Sequence, residues 1–429
     1  MYYNFGRGIG KMSHIEYKKR LIETKIKRKL LYSGAVLIDG AKWSGKSTTA
    51  TQYAKTIIKL QDIDTRKKYK TLVALSKTEI LSGEPPILFD EWQEVPEIWD
   101  YIRMNVDETQ ARGKFLLTSS TKKQNVKTMH TGTGRINSVM MRPMSLFESG
   151  ESTGSVSLKS LFEKAKIEPV DSEISVRGIA ELICRGGWPG TLTLPKDLQL
   201  DIPKDLLSGI LREDIDEVDG IKKDKEKLYK IIKSYARNIS TLATNKTIYR
   251  DQNYENIVEP PTFEKHLNAL KALYIVEDVP PWSFKIRSSS RLKQGYKKQF
   301  VDPSIAVAAL DLSPEKLLQD FETFGFFFES IVTRDLRVYA DMLDARVYYY
   351  RDSSGLEVDL ILELPDGRWA GVEVKMGLNE LDKAVKNLLK LAKLAVKGPE
   401  FLMIVTNSQM AYTRPEDGIH VVPLGCLRD

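Results

Sequence analysis

The segment Gly40–Ser47, GAKWSGKS, constrains the fold of this chain more than any other feature. It fits the pattern GxxxxGK[S/T], in which glycines let backbone N–H groups point inward at phosphates. A strand must precede such a loop and a helix must follow it, because the helix adds the positive end of its dipole. Residues 34–39, GAVLID, predict the strand, and residues 48–60 predict the helix. The segment therefore predicts a P-loop in a parallel α/β fold.

The side chains of this loop indicate its chemistry. We expect Lys46 to reach the β- and γ-phosphates and the Ser47 hydroxyl to ligate Mg²⁺. Recognition of GTP is not favoured, because the one NKxD-like string, Asn245-Lys246-Thr247, lacks its Asp and lies outside the loop's domain. The expected cofactors are therefore ATP and Mg²⁺. The residues expected to hold them within the loop are Gly40, Lys42, Trp43, Ser44, Gly45, Lys46, Ser47 and Thr48.

An apolar strand that ends in two carboxylates, Asp90 and Glu91, is the natural partner of the loop. At the carboxyl end of its strand, Asp90 can hold Mg²⁺ opposite Ser47. Glu91 is then placed to polarise the attacking water as a general base. The alternative is that both acids only cap the helix that follows.

Two further residues are candidate phosphate contacts. Ser119, in the string Thr118-Ser119-Ser120, ends a predicted strand and could sense the γ-phosphate, or it could form a simple turn. Arg135 follows a glycine-rich turn. It could reach phosphate in its own chain or in a neighbouring copy, or it could be a surface residue.

Strands alternate with helices up to about residue 145, which predicts a parallel sheet. The predicted strands are 34–39, 71–75, 86–89, 114–118 and 135–141, and the second predicted helix is 94–104. Residues 146–224 predict a helical connector. Three helical patterns and a strand pair, typical of a winged helix, then follow at 225–237, 241–248, 262–273, 274–278 and near Phe300. Residues 311–429 predict a mixed α/β domain.

Two charge patterns admit a nucleic-acid partner. Residues 15–30 carry seven basic and two acidic residues, which fits either a solvated helix or a basic arm. Residues 284–298 contain six basic residues and no acidic one, which fits either a nucleic-acid contact or a solvated loop.

The C-terminal region contains a hairpin pattern around residues 365–367. If the turn is symmetric about Asp366, Asp359 faces Glu373, and Glu357 faces Lys375. The four side chains would then share one face, because side chains alternate along a strand. The opposite face would hold Val358, Leu360, Val372 and Val374.

This pattern is compatible with a second metal site. Two carboxylates so close repel each other unless a cation lies between them. Asp359 and Glu373 are therefore candidate ligands of Mg²⁺ or Mn²⁺, with Lys375 positioning or activating a water. Glu329, on the preceding helix, could complete the site. The alternative is a solvent-facing hairpin with cross-strand Glu–Lys pairs.

Over nearly its whole length, the chain resembles a family of archaeal and bacterial AAA-type ATPases with a C-terminal domain of unknown function. The resemblance rests on GAKWSGKST (40–48), LFDEW (88–92), FLLTSS (115–120), GRI (134–136), MRPMSLFESGE (141–151), RGGWPG (185–190), FVDPSIA (300–306) and SGLEVDLIL…VEVK (354–375). It implies ATP binding and hydrolysis by Lys46, Ser47, Asp90 and Glu91. It also implies a C-terminal part like the PD-(D/E)XK nucleases, with Asp359, Glu373, Lys375 and the helical carboxylate Glu329.

The expected fold class is thus α/β: a P-loop NTPase parallel sheet, then a winged-helix-like domain and a mixed α/β nuclease-like domain. The expected domains are an ATPase domain with an N-terminal basic helix (1–145), a helical lid or connector (146–224), a winged-helix-like domain (225–310) and a nuclease-like domain (311–429).

Composition limits the cellular setting and the partners. The 429 residues include only two cysteines and carry a net charge of +7. Two cysteines cannot form a disulfide framework, so we expect a cytoplasmic protein. We expect no membrane partner, because no apolar run is long enough to span a bilayer. The favoured function is an ATPase coupled to nucleic-acid binding. The sequence leaves open an ATP-gated metal-dependent DNA nuclease, a non-catalytic switch that binds a protein partner, and assembly into an oligomer. A small-molecule kinase is less favoured.

Overall fold

The computed structural model describes residues 17–75, 77–122, 131–218, 224–251, 260–284 and 294–429. Most of the predicted basic stretch 284–298 therefore lies outside the described residues. Among the helices in these ranges, none combines the length and apolarity required to cross a membrane.

A parallel five-stranded sheet forms the N-terminal part. Its strands are β1 (Ala35–Asp39), β2 (Thr56–Lys59), β3 (Ile87–Asp90), β4 (Phe115–Ser119) and β5 (Ile136–Met140). They lie in the order β2-β3-β4-β1-β5. Alternate residues of β1 enter different cores: Leu37 packs on one face of the sheet and Val36 on the other. Because the strands are parallel, the loop after β1 leaves the sheet at the same edge as the carboxyl ends of β3 and β4.

The N-terminal helices correct two predictions. These helices are α1 (Glu23–Leu30), α2 (Lys46–Thr51), α3 (Ile63–Leu75), α4 (Lys77–Ile80) and α5 (Glu97–Thr109). The predicted helix 48–60 ends at Thr51, because residues 56–59 form β2. The predicted strand 71–75 is the end of α3, where Tyr69, Leu72 and Val73 pack on one core at helical spacing.

The middle of the chain is mainly helical. Its α-helices are α6 (Leu146–Ser149), α7 (Leu158–Phe162), α8 (Val176–Arg185), α9 (Lys196–Gln199), α10 (Asp201–Gly209), α11 (Ile215–Glu217), α12 (Lys225–Arg237), α13 (Asn245–Arg250) and α14 (Pro260–Ala272). A π-helical turn, Ile210–Asp214, joins α10 to α11. Isolated antiparallel bridges pair Val276 with Phe300 and Val279 with Lys297. The three helices and two paired segments expected of a winged helix are present, and the winged-helix assignment itself stays a prediction.

A seven-stranded sheet forms the C-terminal part. The strands outside the N-terminal sheet are β6 (Val156–Ser157), β7 (Val170–Asp171), β8 (Arg346–Arg351), β9 (Glu357–Glu363), β10 (Trp369–Lys375), β11 (Phe401–Thr406), β12 (Met410–Thr413), β13 (His420–Pro423) and β14 (Leu427–Arg428). The order in the seven-stranded sheet is β7-β12-β13-β11-β10-β9-β8. The accompanying helices are α15 (Pro303–Ala309), α16 (Pro314–Gln319), α17 (Phe321–Met342) and α18 (Leu381–Leu394).

The connector 146–224 is part of this C-terminal architecture. Its strand β7 pairs with β12, and β6 pairs with the terminal strand β14. A single apolar core includes Leu161 of the connector, Ile232 of the middle helices and Val332 of α17. Residues far apart in sequence therefore share one core across the expected domain boundaries.

The register of the β9–β10 hairpin confirms the predicted symmetry. Trp369 pairs with Glu363 and Val372 with Leu360, as expected for a turn centred on Asp366. The predicted alternation is nevertheless wrong near Asp359, because a register shift between β8 and β9 places two residues, 359 and 360, opposite Tyr349 alone. Val358 consequently packs in one core and Leu360 in another. Such a bulge re-aims a side chain, here that of Asp359.

Candidate functional site

The loop between β1 and α2 has the curled backbone of a phosphate-binding loop. Gly40, Trp43 and Gly45 all have positive φ angles, of 146°, 64° and 97°. A side chain at Gly40 would place its Cβ 2.2 Å from the carbonyl oxygen of Met141, so only glycine fits there. Lys46 begins α2 and is buried, and its Nζ donates to the Ala41 carbonyl at 2.9 Å. Burial lowers the pKa of Lys46.

A buried arginine from the N-terminal basic segment supports the loop. The Arg20 guanidinium donates to the carbonyl oxygens of Ser44 and Arg142, both at 2.8 Å. It also forms an ion pair with Glu148 at 3.0 Å. Arg20 is 3% exposed. This member of the predicted basic arm therefore acts inside the protein, where it fixes the loop to residues 142–148.

The two acids at the carboxyl end of β3, Asp90 and Glu91, are held by hydroxyl groups from β4 and from the residue after it. Thr118 Oγ1 donates to Asp90 Oδ1 at 2.6 Å and accepts from the Glu91 amide at 2.9 Å. The amide and the hydroxyl of Ser120 both donate to Glu91 Oε2 at 3.0 Å. Glu91 has a φ of 54°, so its backbone turns sharply after β3. The acids are therefore fixed by contacts beyond those of a simple helix cap.

The two other candidate phosphate contacts differ in position: Ser119 pairs with Asp39, directly before the loop, and Arg135 lies at the opposite end of β1. The Ser119 hydroxyl donates to the Thr121 carbonyl at 2.8 Å, whereas its neighbours Thr118 and Ser120 contact the acids. Arg135 forms an ion pair with Asp107 at 2.6 Å. Its carbonyl bonds to the amide of Ala35, the first residue of β1, whereas the loop follows the last residue of that strand. This position and the pair with Asp107 do not favour a contact of Arg135 with phosphate in its own chain, and its action in a neighbouring copy stays a prediction.

The loop opens on a cleft of 620 Å³. Its lining includes Glu91 and, from the loop and α2, the expected residues Lys42, Trp43, Gly45, Lys46, Ser47 and Thr48. The segment Trp188–Gly190, within the string RGGWPG, lines the cleft from the connector side. Lys42 forms an ion pair with Asp214 at 2.5 Å. The connector thus contributes both a wall of the cleft and a carboxylate that holds a loop lysine.

The loop and its surroundings fit a nucleotide with Mg²⁺. Among the described residues, the buried Ser44 hydroxyl has no hydrogen-bond partner, as expected of a polar atom that serves a ligand. Ser47 and Asp90 provide the oxygen ligands that Mg²⁺ prefers. Lys46 is already directed into the loop, onto the Ala41 carbonyl.

A buried polar chain leads from the cleft to helix α17. The Gly187 amide donates to Asp302 at 2.9 Å, and the Trp188 indole donates to Ser304 at 2.9 Å. Asp302 also accepts from Arg334 on α17 at 3.0 Å. The next residue, Asp335, accepts from the Leu146 amide at 2.9 Å. Three of the strings that carry the family resemblance, 141–151, 185–190 and 300–306, therefore meet on this helix.

The predicted carboxylates of the C-terminal region also come together. Lys375 Nζ lies 3.2 Å from Asp359 and 2.7 Å from Glu373. Asp359 accepts from the Val374 amide at 2.9 Å, and Glu373 accepts from Asn387 at 3.0 Å. Burial, followed by the charge of Asp359, raises the pKa of Glu373. This group is therefore a partly buried, ion-paired cluster and not a solvent-facing hairpin.

A second lysine, Lys297, enters the cluster. Its Nζ lies 2.8 Å from Glu329 and 3.5 Å from each of Glu357 and Asp359. Burial raises the pKa of Glu329 to about 7, although Lys297 acts against that shift. In the ranges that the structure describes, no group of three or more His, Cys, Asp or Glu side chains is arranged to hold a metal ion. Lys297 and Lys375 lie among the carboxylates expected to bind a second metal ion, and that site stays a prediction.

Lys297 and Lys298 correct one interpretation of the basic stretch 284–298. Both side chains are buried, and Lys298 lies 3.7 Å from Asp278 and 2.9 Å from the side-chain oxygen of Asn245. Neither lysine is available to a nucleic acid. The other basic residues of the stretch lie outside the described residues.

The N-terminal part has the sheet and the loop of a P-loop domain, and its residues 32–149 match the AAA domain family. Two domains of unknown function account for most of the remainder: DUF8612 matches residues 176–316 and DUF4143 matches residues 324–427. Over 393 residues, 89% of this chain, it is 22% identical to uncharacterized proteins of Mycobacterium bovis and Mycobacterium tuberculosis, with 80% of each relative covered.

Two solved structures show a partial likeness to this chain. A Walker-type ATPase of Pyrococcus abyssi has a TM-score of 0.41 and 14% identity, over 67% of this chain and 93% of that one. A signal transduction ATPase (STAND) protein of Pyrococcus horikoshii, with a tetratricopeptide repeat sensor, has a TM-score of 0.22 and 11% identity, over 77% and 54%. These TM-scores are too low to assign a function.

Several residues of the two sites carried no signal of their own in the sequence. Arg20, Asp214 and Lys297 are charged residues in ordinary charged surroundings, and only the fold brings them to the loop or the cluster. Ser120 belongs to the string Thr118-Ser119-Ser120, where adjacent hydroxyls point to different neighbours. The bend 185–190 was recognisable by its glycines, but its position beside the P-loop was not.

Proposed function

We propose that this chain binds ATP with Mg²⁺ in the cleft beside the P-loop, hydrolyses it, and couples the cycle to nucleic-acid binding by its C-terminal half. The observation that carries hydrolysis is the position of Glu91. It lines the cleft together with Lys46 and Ser47, and Ser120 holds its carboxylate at 3.0 Å.

Each residue of the cleft has a distinct role in this proposal. The backbone amides around Gly45 and the Lys46 ammonium bind the phosphates. Ser47 and Asp90 hold Mg²⁺, which neutralises charge on the phosphate oxygens when bound. Glu91 orients a water and accepts its proton, while Ser120 fixes one of its oxygens.

The buried chain from Gly187 to Arg334 supports coupling. It joins the cleft to α17 through hydrogen bonds of 2.9 and 3.0 Å, and α17 also carries Glu329 of the carboxylate cluster. The basic residues of 285–293 and the exposed positive charges of α1 support a nucleic-acid partner, because phosphate contacts dominate such binding.

ATP hydrolysis, measured with and without DNA, tests the proposal. Wild type should hydrolyse ATP faster with DNA, whereas Lys46→Ala should lose activity in both conditions. Glu91→Gln should keep ATP binding and lose hydrolysis. An unchanged rate in Lys46→Ala would refute hydrolysis at this site. ATP turnover that ignores DNA would refute coupling to DNA and favour a switch that binds a protein partner.

A second candidate is ATP-gated, metal-dependent DNA cleavage. The convergence of Asp359, Glu373 and Lys375 at 2.7–3.2 Å, with Glu329 beside them, favours it. Purified protein with Mn²⁺ should then cut DNA, and Asp359→Ala should not. Equal cleavage by both proteins would exclude this site as the source.

A further inference from the structure

Lys297 is a buried cation in the carboxylate cluster. Its side chain is 1% exposed, and its ammonium lies within 2.8–3.5 Å of oxygens from Glu329, Glu357 and Asp359. These carboxylates come from α17 and β9, so the lysine joins elements that are separate in sequence. The contact with Glu329 has the length of an N–H···O bond, and those with Glu357 and Asp359 are longer ion pairs.

The backbone fixes Lys297 in this position. Its amide and carbonyl both pair with Val279, each bond measuring 2.9 Å. The ammonium also lies 5.9 Å from the centre of the Tyr349 ring. Tyr349 in turn donates to the Gly295 carbonyl at 2.5 Å, two residues before the lysine. The position of the lysine in the cluster is therefore fixed by contacts of both its backbone and its ammonium group.

The charges of the surrounding acids explain why a buried lysine is favourable at this position. The four acidic side chains Glu329, Glu357, Asp359 and Glu373 lie around the ammonium groups of Lys297 and Lys375, and Glu357 also lies 3.9 Å from the half-exposed Arg351 guanidinium. Removal of either lysine would leave buried acids facing each other without a cation between them, which is unfavourable. A divalent ion could relieve that repulsion equally well, but only where the lysine leaves room.

We propose that Lys297 is the resident cation of this cluster and that it closes the cluster to divalent metal ions. The C-terminal domain is accordingly built without a metal, and the residues that resemble a nuclease site serve as an internal ion-pair network. This proposal does not depend on ATP hydrolysis. It opposes the second candidate function, since metal-dependent cleavage requires the space that Lys297 fills.

Mn²⁺ binding without nucleotide tests the proposal, with free Mn²⁺ measured by electron paramagnetic resonance. Wild type and Asp359→Asn should bind the same amount, because the cluster contributes no site. Lys297→Met should gain one site, which the double variant Lys297→Met/Asp359→Asn should lose. Lys298→Met is the matched control: the adjacent buried lysine contacts Asp278 and Asn245 instead, so its loss should create no site.

Two results would overturn the proposal. One is an Mn²⁺ site in the wild-type protein that Asp359→Asn removes. The other is a folded Lys297→Met protein, judged by circular dichroism, that gains no site. If Lys297→Met does not fold, Lys297→Met/Glu329→Gln removes a carboxylate together with the lysine. That double variant should bind Mn²⁺ through the remaining acids, and a folded form without binding would equally refute the idea.

Discussion

The backbone amide of Gly187 donates to the carboxylate of Asp302 at 2.9 Å, so a glycine next to the residues that line the cleft is bonded to the N-cap residue of α15. The same carboxylate accepts from Arg334 on α17 at 3.0 Å. Asp302 and Arg334 are both buried. A movement of the bend 185–190 on nucleotide binding would therefore act directly on the helix that carries Glu329.

Replacement of Asp302 by Ala should destabilise the protein strongly. The change leaves the Arg334 guanidinium with Asp335 as its remaining ion-pair partner and removes the bond to Gly187. Breaking one side of a buried ion pair costs about 3–5 kcal/mol. Urea unfolding of wild type and Asp302→Ala measures the difference.

Lys55→Ala is the comparison for this prediction. Lys55 and Glu84 form an ion pair in which both side chains are more than half exposed. Such surface pairs contribute about 0–1 kcal/mol, so this variant should unfold nearly as wild type does. Similar losses in the two variants would show that the Asp302 network adds nothing beyond a surface contact.

Ser120→Ala should lower kcat and leave KM nearly unchanged. Ser120 is a positioning residue in the proposed hydrolysis: its hydroxyl holds Glu91 Oε2 at 3.0 Å. Without it, the carboxylate is less well oriented toward water, while the phosphate contacts remain. A tenfold loss of kcat would correspond to about 1.4 kcal/mol, the scale of one hydrogen bond to a charged group.

Ser119→Ala distinguishes the two adjacent hydroxyls. The Ser119 side chain donates to the Thr121 carbonyl. If Ser119 instead senses the γ-phosphate, as its position at the strand end predicts, its loss should impair ATP turnover more than the loss of Ser120. Steady-state kinetics of both variants measure this difference. A larger loss of turnover in Ser119→Ala than in Ser120→Ala would contradict the role of Ser120 as the residue that positions Glu91.

Local patterns predicted the parts of the structure that depend on neighbours in sequence. The P-loop, the acids that end β3 and the register of the C-terminal hairpin follow from short motifs, because a strand, a turn and a helix impose fixed spacings. The hairpin pairs Val372 with Leu360, as symmetry about Asp366 requires. That register also predicted Asp359 near Glu373, and Lys375 contacts both, although the bulge at Asp359 changes the direction of its side chain.

Long-range packing set the features that the sequence did not predict. Asp359 lies in a bulge that only the pairing with β8 reveals. Lys297 is one of six basic residues in a stretch that looks solvated, and it is buried only because Val279 and α17 surround it. Arg135 follows a glycine-rich turn, but the parallel sheet places that turn at the edge opposite the P-loop.

Asp214→Asn should tighten ATP binding. Asp214 holds Lys42 at 2.5 Å, and its own negative charge lies close to the loop that receives the phosphates. Neutralising it weakens the hold on the Lys42 ammonium and removes a repulsion of the phosphates. A single charge at this distance in a solvated cleft is worth about 1 kcal/mol, or roughly fivefold in Kd.

Calorimetric titration of ATP into Asp214→Asn and Asp205→Asn checks this expectation. Asp205 is exposed on α10 and is not among the residues that line the cleft, so its variant makes the same change in net charge without altering the Lys42–Asp214 pair. Lys42→Met should weaken ATP binding in the same assay. Equal gains in both Asp variants would assign the effect to overall charge and not to the ion pair.

Asp39→Asn should change how stability depends on pH. Asp39 ends β1 directly before the P-loop, and burial raises its pKa to about 6, although Tyr274, Lys122, Lys46 and Arg142 act against the shift. An acid whose pKa is raised on folding destabilises the protein once it ionises, so wild type should lose stability as pH rises from about 4 to 6. At about 1.4 kcal/mol per pKa unit, the full loss approaches about 3 kcal/mol. Asn does not titrate. The unfolding free energy of Asp39→Asn relative to wild type should therefore rise over this range and level off near pH 7.

Asp62→Asn is the control of opposite sign, because a hydrogen bond from the Thr65 amide lowers the pKa of Asp62. A flat difference for Asp39→Asn in urea unfolding between pH 4 and 7 would show that this carboxylate is not desolvated beside the loop.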